Sequence, residues 1–372
     1  MPKPTASAPR QGASDPVRIF LRVVYFAFLL YLFFFSIELM STAFKLAGRG
    51  FAEQLIHTAS DPLAGLILGF LATSLIQSSS TTTTIVVGLV AADTLTVGLA
   101  VPIIMGANIG TTMTNTIVSM GHVTRAVEFE RAFAASTVHD FFNILAALAF
   151  LPLEMLFHPI ERSAVALEGL FEGAGGLRLS SPLKAVVDPP AGFLAELIPF
   201  EIPLVILALT VLFLALNRMM RVMKGVLLVR LEALFEDYLF RNDGLSFGLG
   251  AIFTALVQSS SATTSLVVPL VGSGVLTVRK IYAYTLGANI GTTVTAILAS
   301  LATGSQAAVT VALAHLVFNI MGIAVFYPLR AAPISMAEWV GAVAARSKGN
   351  SALVIAVYLI LHIIPVAYVL TR

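Results

Sequence analysis

The 372-residue chain is 58% hydrophobic and only 11% charged, with a mean hydropathy of +0.92. A soluble domain carries roughly 25% charged residues, so the composition excludes one and points to an integral membrane protein. The net charge of +2 is uninformative as a total, and the absence of cysteine excludes a disulfide framework and thiol chemistry.

The apolar runs are ~16–25 residues long, which suits helices crossing a ~30 Å hydrocarbon core. The expected class is therefore an all-α integral membrane fold. Residues 1–16 are polar and rich in Pro, Ser and Ala, and are expected to be disordered and cytoplasmic. The first apolar segment, Ile19 to Met40, exceeds a signal-peptide core and is expected to be retained. Residues 17–153 read as a first transmembrane unit. A long helix spans Val17 to Leu46 and a short amphipathic piece spans Phe51 to His57. Pro62 to Ala91 is interrupted at Gln77–Ser80, Leu95 to Ser119 at Gly106–Thr112, and a helix from Ala132 to Leu153 follows.

Residues 154–199 are expected to form an external loop. The second unit, residues 200–330, repeats the order. It comprises a helix from Ile202 to Met219 and an amphipathic stretch, Val226 to Phe240, carrying Glu232, Glu236 and Asp237. Leu245 to Gly272 is broken at Gln258–Ser261, Val278 to Ser300 at Gly287–Thr293, and Ala307 to Leu329 is the matching last helix. Residues 331–372 hold an amphipathic segment and a final transmembrane helix, Ala352 to Leu370.

The repetition is exact at two motifs. Gln-Ser-Ser-Ser starts at Gln77 and Gln258, Gly-Ala-Asn-Ile-Gly-Thr-Thr at Gly106 and Gly287, both offset by 181 positions. Between Gln77 and Met120 about half of the positions are identical to the second copy. A third shared element, His-x-x-x-Asn-Ile, places His139 with Asn143 and His315 with Asn319 at an offset of 176. A duplication follows.

Lys3, Arg10, Arg18 and Arg22 place the N-terminus in the cytoplasm by the positive-inside rule. If Pro62–Ala91 is a re-entrant hairpin, each repeat crosses the membrane three times. Three is odd, so the second repeat is inverted relative to the first, a common transporter arrangement.

A Ser/Thr cluster at mid-membrane competes for backbone hydrogen bonds, breaks the helix and caps the half-helix that follows. The half-helix presents unpaired N–H groups and about +0.5 of a charge. Two copies suit an oxyanion, with hydroxyls of Ser79, Ser80, Ser260 and Ser261 as further donors and Gln77 and Gln258 as donor or acceptor. Carbonyl, hydroxyl and amide oxygens also suit Na⁺, with Asn108, Thr112, Asn289 and Thr293 available at the second motif, where Gly106, Gly110, Gly287 and Gly291 allow the backbone to unwind. No Lys or Arg lies within either motif. A dianion would be under-neutralised by two helix ends, which is a physical reason for bound cations and obligatory coupling. Asp93, whose repeat counterpart is Gly274, and Asp140 are further acidic candidates.

Plainer readings stand beside these. Ser and Thr can simply back-bond to their own helix. The Gly-x-x-x-Gly pairs Gly106/Gly110 and Gly287/Gly291 can be close-packing motifs. His139 and His315 can be structural, bonding across helices near Asn143 and Asn319. Asp93 can be an interfacial loop residue.

The doubled Gln-Ser-Ser-Ser, the doubled Gly-Ala-Asn-Ile-Gly-Thr-Thr and His-Asp-Phe-Phe-Asn at His139 to Asn143 resemble the type II sodium–phosphate cotransporters over about Phe28 to Leu329. The resemblance implies sodium-driven phosphate uptake by alternating access, with Na⁺ as coupling ion and no other cofactor. It implies a phosphate site at Gln77, Ser78, Ser79, Ser80, Gln258, Ser259, Ser260 and Ser261. The sodium set is Gln77, Ser78, Thr82, Asp93, Asn108, Thr111, Thr112, Gln258, Ser259, Asn289, Thr292 and Thr293, with Asp93 matching an acid linked to an additional sodium. Expected partners are phosphate, sodium and the lipid bilayer, with no nucleic acid and a homodimer left open. The expected location is the cell (inner or plasma) membrane. The chain departs from animal members in lacking a Cys- and glycosylation-bearing external loop, and it looks bacterial. Rivals are a sodium–carboxylate transporter and an anion channel or sensor. No nucleophile–base pair, metal cluster or nucleotide loop suggests an enzyme.

Overall fold

The computed structural model describes residues 16–59, 61–173, 182–235 and 242–370. Among these residues the regular structure is helical, with no strand. Sixteen α-helices occur in the order α1 Pro16–Ala59, α2 Pro62–Ile76, α3 Ser79–Ala91, α4 Val97–Ile109, α5 Met113–Ser119, α6 Ala126–Phe157, α7 Pro159–Gly173, α8 Pro182–Leu197, α9 Glu201–Phe235, α10 Asp243–Val257, α11 Ser260–Ser265, α12 Val268–Gly272, α13 Val278–Thr303, α14 Gln306–Phe326, α15 Ala331–Ala345 and α16 Lys348–Leu370. Six stretches among the described residues are long and apolar enough to cross a membrane: Phe20–Gly48, Val97–His122, Ala126–Phe157, Glu201–Met223, Val278–Thr303 and Gln306–Phe326. Three precede the connecting stretch and three follow it. The chain is thus a multi-pass membrane protein.

The helices pack by repeat correspondence. The first long helices, α1 and α9, pack on each other and share a core of Leu29, Phe33 and Ile37 with Leu204, Ala208 and Leu212. Helix α2 crosses α4 as α10 crosses α13. Other contacts run between the repeats. The last helix of each, α6 or α14, packs against the other's Gly-Ala-Asn helix, α13 or α4. Half-helix α3 lies on α13, and α11 lies on α5. Each half therefore completes the other's core.

Several sequence expectations change. The expected break at Gly287–Thr293 is absent, because α13 runs unbroken through it. In the first copy the interruption shrinks to a 3₁₀ turn, Gly110–Thr112, between α4 and α5. The glycines instead permit backbone-to-backbone crossing. A Cβ on Gly106 would stand 1.8 Å from Leu66 O, and one on Gly287 would stand 2.0 Å from Phe247 O. The close-packing reading of these Gly-x-x-x-Gly pairs is the one the geometry supports. The piece at Phe51–His57, by contrast, is kept as a separate helical segment, because Gly48 takes non-helical backbone (φ 72°, ψ −169°) and divides α1 in two. The connecting stretch contains two helices, α7 and α8, rather than a plain loop. Helix α9 extends to Phe235 through the expected amphipathic stretch; Glu236, Asp237 and the N-terminal residues 1–15 lie outside the described residues, as does the side chain of Glu232.

Candidate functional site

Both Gln-Ser-Ser-Ser segments break their hairpins in the same way. Gln77 ends α2 in the left-handed region (φ 60°, ψ 27°), and Gln258 ends α10 there (φ 59°, ψ 27°). Left-handed backbone costs a residue with a Cβ about 1–2 kcal/mol, and such outliers persist where the surroundings over-determine them. Each Gln N–H closes its helix on the carbonyl four residues back, Thr73 or Thr254, at 2.7 Å. Each Gln Nε2 donates to a last-turn carbonyl, Ser74 O or Ala255 O, leaving Oε1 and the second Nε2–H for other work.

The chain then turns extended at Ser78 (φ −154°, ψ 104°) and Ser259 (φ −155°, ψ 108°). Ser78 Oγ accepts the Thr81 N–H and Ser259 Oγ the Ala262 N–H, both at 3.2 Å. These are N-caps built by the preferred residue type. The N–H groups of Ser79, Ser80, Ser260 and Ser261 open the new half-helices and have no intrahelical acceptor. All four serines are buried. The Thr run behind them turns inward on its own helix: Thr83 and Thr84 donate to Ser79 O and Ser80 O at 2.9 and 2.8 Å. Thr264 likewise donates to Ser260 O at 2.8 Å. Back-bonding thus accounts for these threonines but not for the serines.

The two tetrads differ in how their acceptors are satisfied. In the first, Thr73 Oγ1 donates to Thr82 Oγ1 at 2.9 Å, and Thr114 Oγ1 donates to Gln77 Oε1 at 3.4 Å. In the second, the equivalent atoms Thr254 Oγ1, Gln258 Oε1 and Thr295 Oγ1 are buried without a hydrogen-bond partner among the described residues. Thr254 stands against α13, since a Cβ on Gly291 would lie 2.5 Å from its own Cβ. Thr295 is one turn further along that helix. Buried polar atoms in native proteins nearly always have partners, so these three oxygens, on α10, on its C-terminal Gln258 and on α13, are candidate ligand contacts. Two bonds dock this tetrad on the first repeat: Ser261 Oγ to Thr111 O at 2.9 Å, and Asn115 Nδ2 to Thr264 Oγ1 at 2.8 Å.

The asparagines of the second motif lie in a separate, buried chain. His315 Nε2 bonds Asn108 Oδ1 at 2.9 Å, and Asn108 Nδ2 donates to Asn319 Oδ1 at 3.1 Å. Reciprocally, His139 Nε2 bonds Asn289 Oδ1, and Asn289 Nδ2 donates to Asn143 Oδ1 at 2.8 Å. Asn143 Nδ2 joins the two sets by donating to Asn108 O at 2.9 Å. His139 and His315 therefore bond across helices, beside Asn143 and Asn319, to the opposite repeat's motif asparagine.

The remaining sequence candidates fall as follows. Thr82 closes the first hairpin and also donates to Ser78 O at 3.2 Å. Thr111, Thr292 and Thr293 back-bond to Ala107 O, Ala288 O and Ile290 O; the side chain of Thr112 lies outside the described ones. Asp93 is exposed, with φ 58°, in the turn after α3. The 13 residues of α3 separate it from the tetrad by about 20 Å. Gly274 occupies the same left-handed position in the second repeat (φ 83°), which fits their alignment. Asp140 is buried and accepts from Tyr358 Oη at 3.3 Å. Sequence reasoning missed Thr73 and Thr254, although both stand four residues before their Gln.

A family model described as Na+/Pi-cotransporter matches residues 32–170 and 205–338, which include both tetrads and both Gly-Ala-Asn motifs. The chain is 32% identical over 427 residues to sodium-dependent phosphate transport protein 2B of Pongo abelii, covering 88% of this chain and 62% of the relative. It is 34% identical over 407 residues to sodium-dependent phosphate transport protein 2A of Ovis aries, covering 86% of this chain and 63% of the relative. The chain thus spans less than two thirds of the length of these relatives. No solved structure matches it significantly.

Proposed function

The chain belongs to the Na+/Pi-cotransporter family, and on that premise we propose that it couples sodium entry to uptake of inorganic phosphate by alternating access across the cell membrane, as a transporter and not an enzyme. One observation carries the reading. Two matched helix breaks bury serine donors, while no Lys or Arg is buried among the described residues. The donors suit the oxyanion. The lack of buried basic charge means that helix ends supplying about +0.5 each cannot balance a dianion, so cations must accompany it.

In this reading phosphate is held at Gln77–Ser80 and Gln258–Ser261 by the N–H groups that open α3 and α11 and by the hydroxyls of Ser79, Ser80 and Ser260, the Ser261 hydroxyl being engaged by Thr111 O. Sodium is a co-substrate that takes hard oxygen ligands. The orphaned Thr254 Oγ1 and Gln258 Oε1 of the second hairpin and Thr295 Oγ1 of α13, which packs on it, supply such oxygens. Thr254 and Thr295 join Gln77, Ser78, Gln258 and Ser259 as sodium candidates. Asn108 and Asn289, whose amides are engaged across the repeats, support the site from behind. Asp93 is a separate cation contact at the far end of α3, and Asp93→Gly should lower the charge moved per phosphate. Three spans per repeat, an odd number, support an inverted second copy, and the basic residues Lys3, Arg10, Arg18 and Arg22 support a cytoplasmic N-terminus.

The test is radiolabelled phosphate uptake into proteoliposomes. Uptake should rise steeply with an inward sodium gradient and be inhibited by arsenate. Uptake indifferent to sodium would sink the proposal, and competition by citrate or succinate but not arsenate would transfer it to carboxylates.

A further inference from the structure

The buried chain His139–Asn289–Asn143–Asn108–His315/Asn319 links α6, α13, α4 and α14, and every member is no more than 4% exposed. Its arrangement constrains the protons. Asn289 Nδ2 donates to Asn143, so its Oδ1 faces His139 and the imidazole must donate through Nε2–H. Asn108 Nδ2 donates to Asn319, so the same holds for His315. In both rings Nδ1 is buried with no hydrogen-bond partner among the described residues. One tautomer thus satisfies both sides of the seam.

The two asparagines are also well placed to transmit position. Asn108 and Asn289 lie two residues after glycines whose close crossings bring α4 onto α2 and α13 onto α10. The same helices, or their continuation in α5, carry the docked half-helices of the opposite repeat. A shift of either asparagine would therefore displace both hairpins relative to each other.

We propose that His139 and His315 are positioning residues for transport: each imidazole Nε2–H holds the motif asparagine of the opposite repeat, so the two Gly-Ala-Asn helices stay in register while the hairpins alternate. The inference rests on the transport function proposed above. Neither histidine touches the phosphate or sodium in this reading, so their loss should slow turnover and spare substrate affinity.

The experiment compares His139→Leu and His315→Leu with His139→Gln and His315→Gln in proteoliposomes. The Leu variants remove the donor and leave a buried asparagine oxygen unsatisfied. They should lose about tenfold or more in maximal rate, with the phosphate concentration for half-maximal uptake within about twofold. The Gln variants, whose amide donor replaces Nε2–H, should recover most of the rate. Full rate in the Leu variants, no rescue by Gln, or a loss confined to half-saturation would each overturn the proposal. A thermal-unfolding double-mutant cycle of His139→Leu with Asn289→Leu covers the case of poor expression. Non-additivity supports the pairing and additivity overturns it. If the unaltered chain takes up no phosphate, the functional reading has failed, and the cycle still decides whether the seam is real.

Discussion

The two tetrads share a backbone to within a degree or two at the glutamine, yet Thr254 Oγ1, Gln258 Oε1 and Thr295 Oγ1 lack the partners that their counterparts Thr73, Gln77 and Thr114 have in the first copy. In the first, Thr73 bonds Thr82 across the hairpin, and Thr114 of α5 bonds Gln77. The break itself is therefore a property of the local sequence, repeated because the sequence is repeated. The vacancy in hydrogen bonding is a property of the surroundings, which differ. Equivalent positions need not do equivalent work, and the second hairpin is the better cation candidate.

The strongest way to break the comparison is at the crossings that position both hairpins. Gly106→Ala and Gly287→Ala each force a Cβ to about 2 Å from a carbonyl oxygen. Each should cost about 1–3 kcal/mol by overpacking, read as a lower thermal midpoint in detergent, and the two should suffer alike. A large difference between them would show that the crossings are not equivalent.

The comparison sharpens at the paired threonines. Thr73→Val removes a satisfied hydrogen bond and should destabilise by about 1 kcal/mol, with little change in the sodium needed for uptake. Thr254→Val removes an orphaned hydroxyl, so stability should hold or rise, while the sodium concentration for half-maximal uptake rises about tenfold. The reverse pattern would assign the cation to the first hairpin.

A smaller effect tests the far ends of the half-helices. Asp93 holds the left-handed conformation that Gly274 occupies in the second copy. Asp93→Gly should stabilise the fold by up to about 1 kcal/mol and leave phosphate half-saturation unchanged. A marked loss of stability would reveal an Asp93 contact that holds the turn.

The smallest effect concerns the entry to the second hairpin. Asp243 is held below the ordinary aspartate range, first by the Tyr327 hydroxyl and then by Arg330. With its folded pKa depressed, its contribution is complete above the ordinary carboxylate value near 4 and fades as pH falls through the lower folded value. The pair is partly exposed, so the effect is modest. The acid-side loss of thermal stability should flatten in Asp243→Asn, and an unchanged acid profile would remove Asp243 from the account.

Much of this was legible in the sequence. The six apolar spans, the helix breaks at both tetrads and the family resemblance follow from hydropathy, capping chemistry and repetition. Whether the motif unwinds, as it does in part at Gly110–Thr112, or stays helical, as at Gly287–Thr293, is not legible because glycine serves both unwinding and close approach, and only the neighbouring helix distinguishes them. The helices in the connecting stretch were missed because orientation was argued there from charge alone. The Thr254, Gln258 and Thr295 oxygens could be located by the repeat but not seen to be orphaned.

The sequence by itself determined a duplicated, helical membrane protein with two broken hairpins, because hydrophobic length and Ser N-capping act within a single segment. Only the tertiary structure decided which histidine meets which asparagine. The i, i+4 spacing of His139 with Asn143, and of His315 with Asn319, puts each pair on one helix face. The partner across that face belongs to the other repeat, and hydrogen bonds between segments more than 140 residues apart depend on how the helices pack rather than on local pattern.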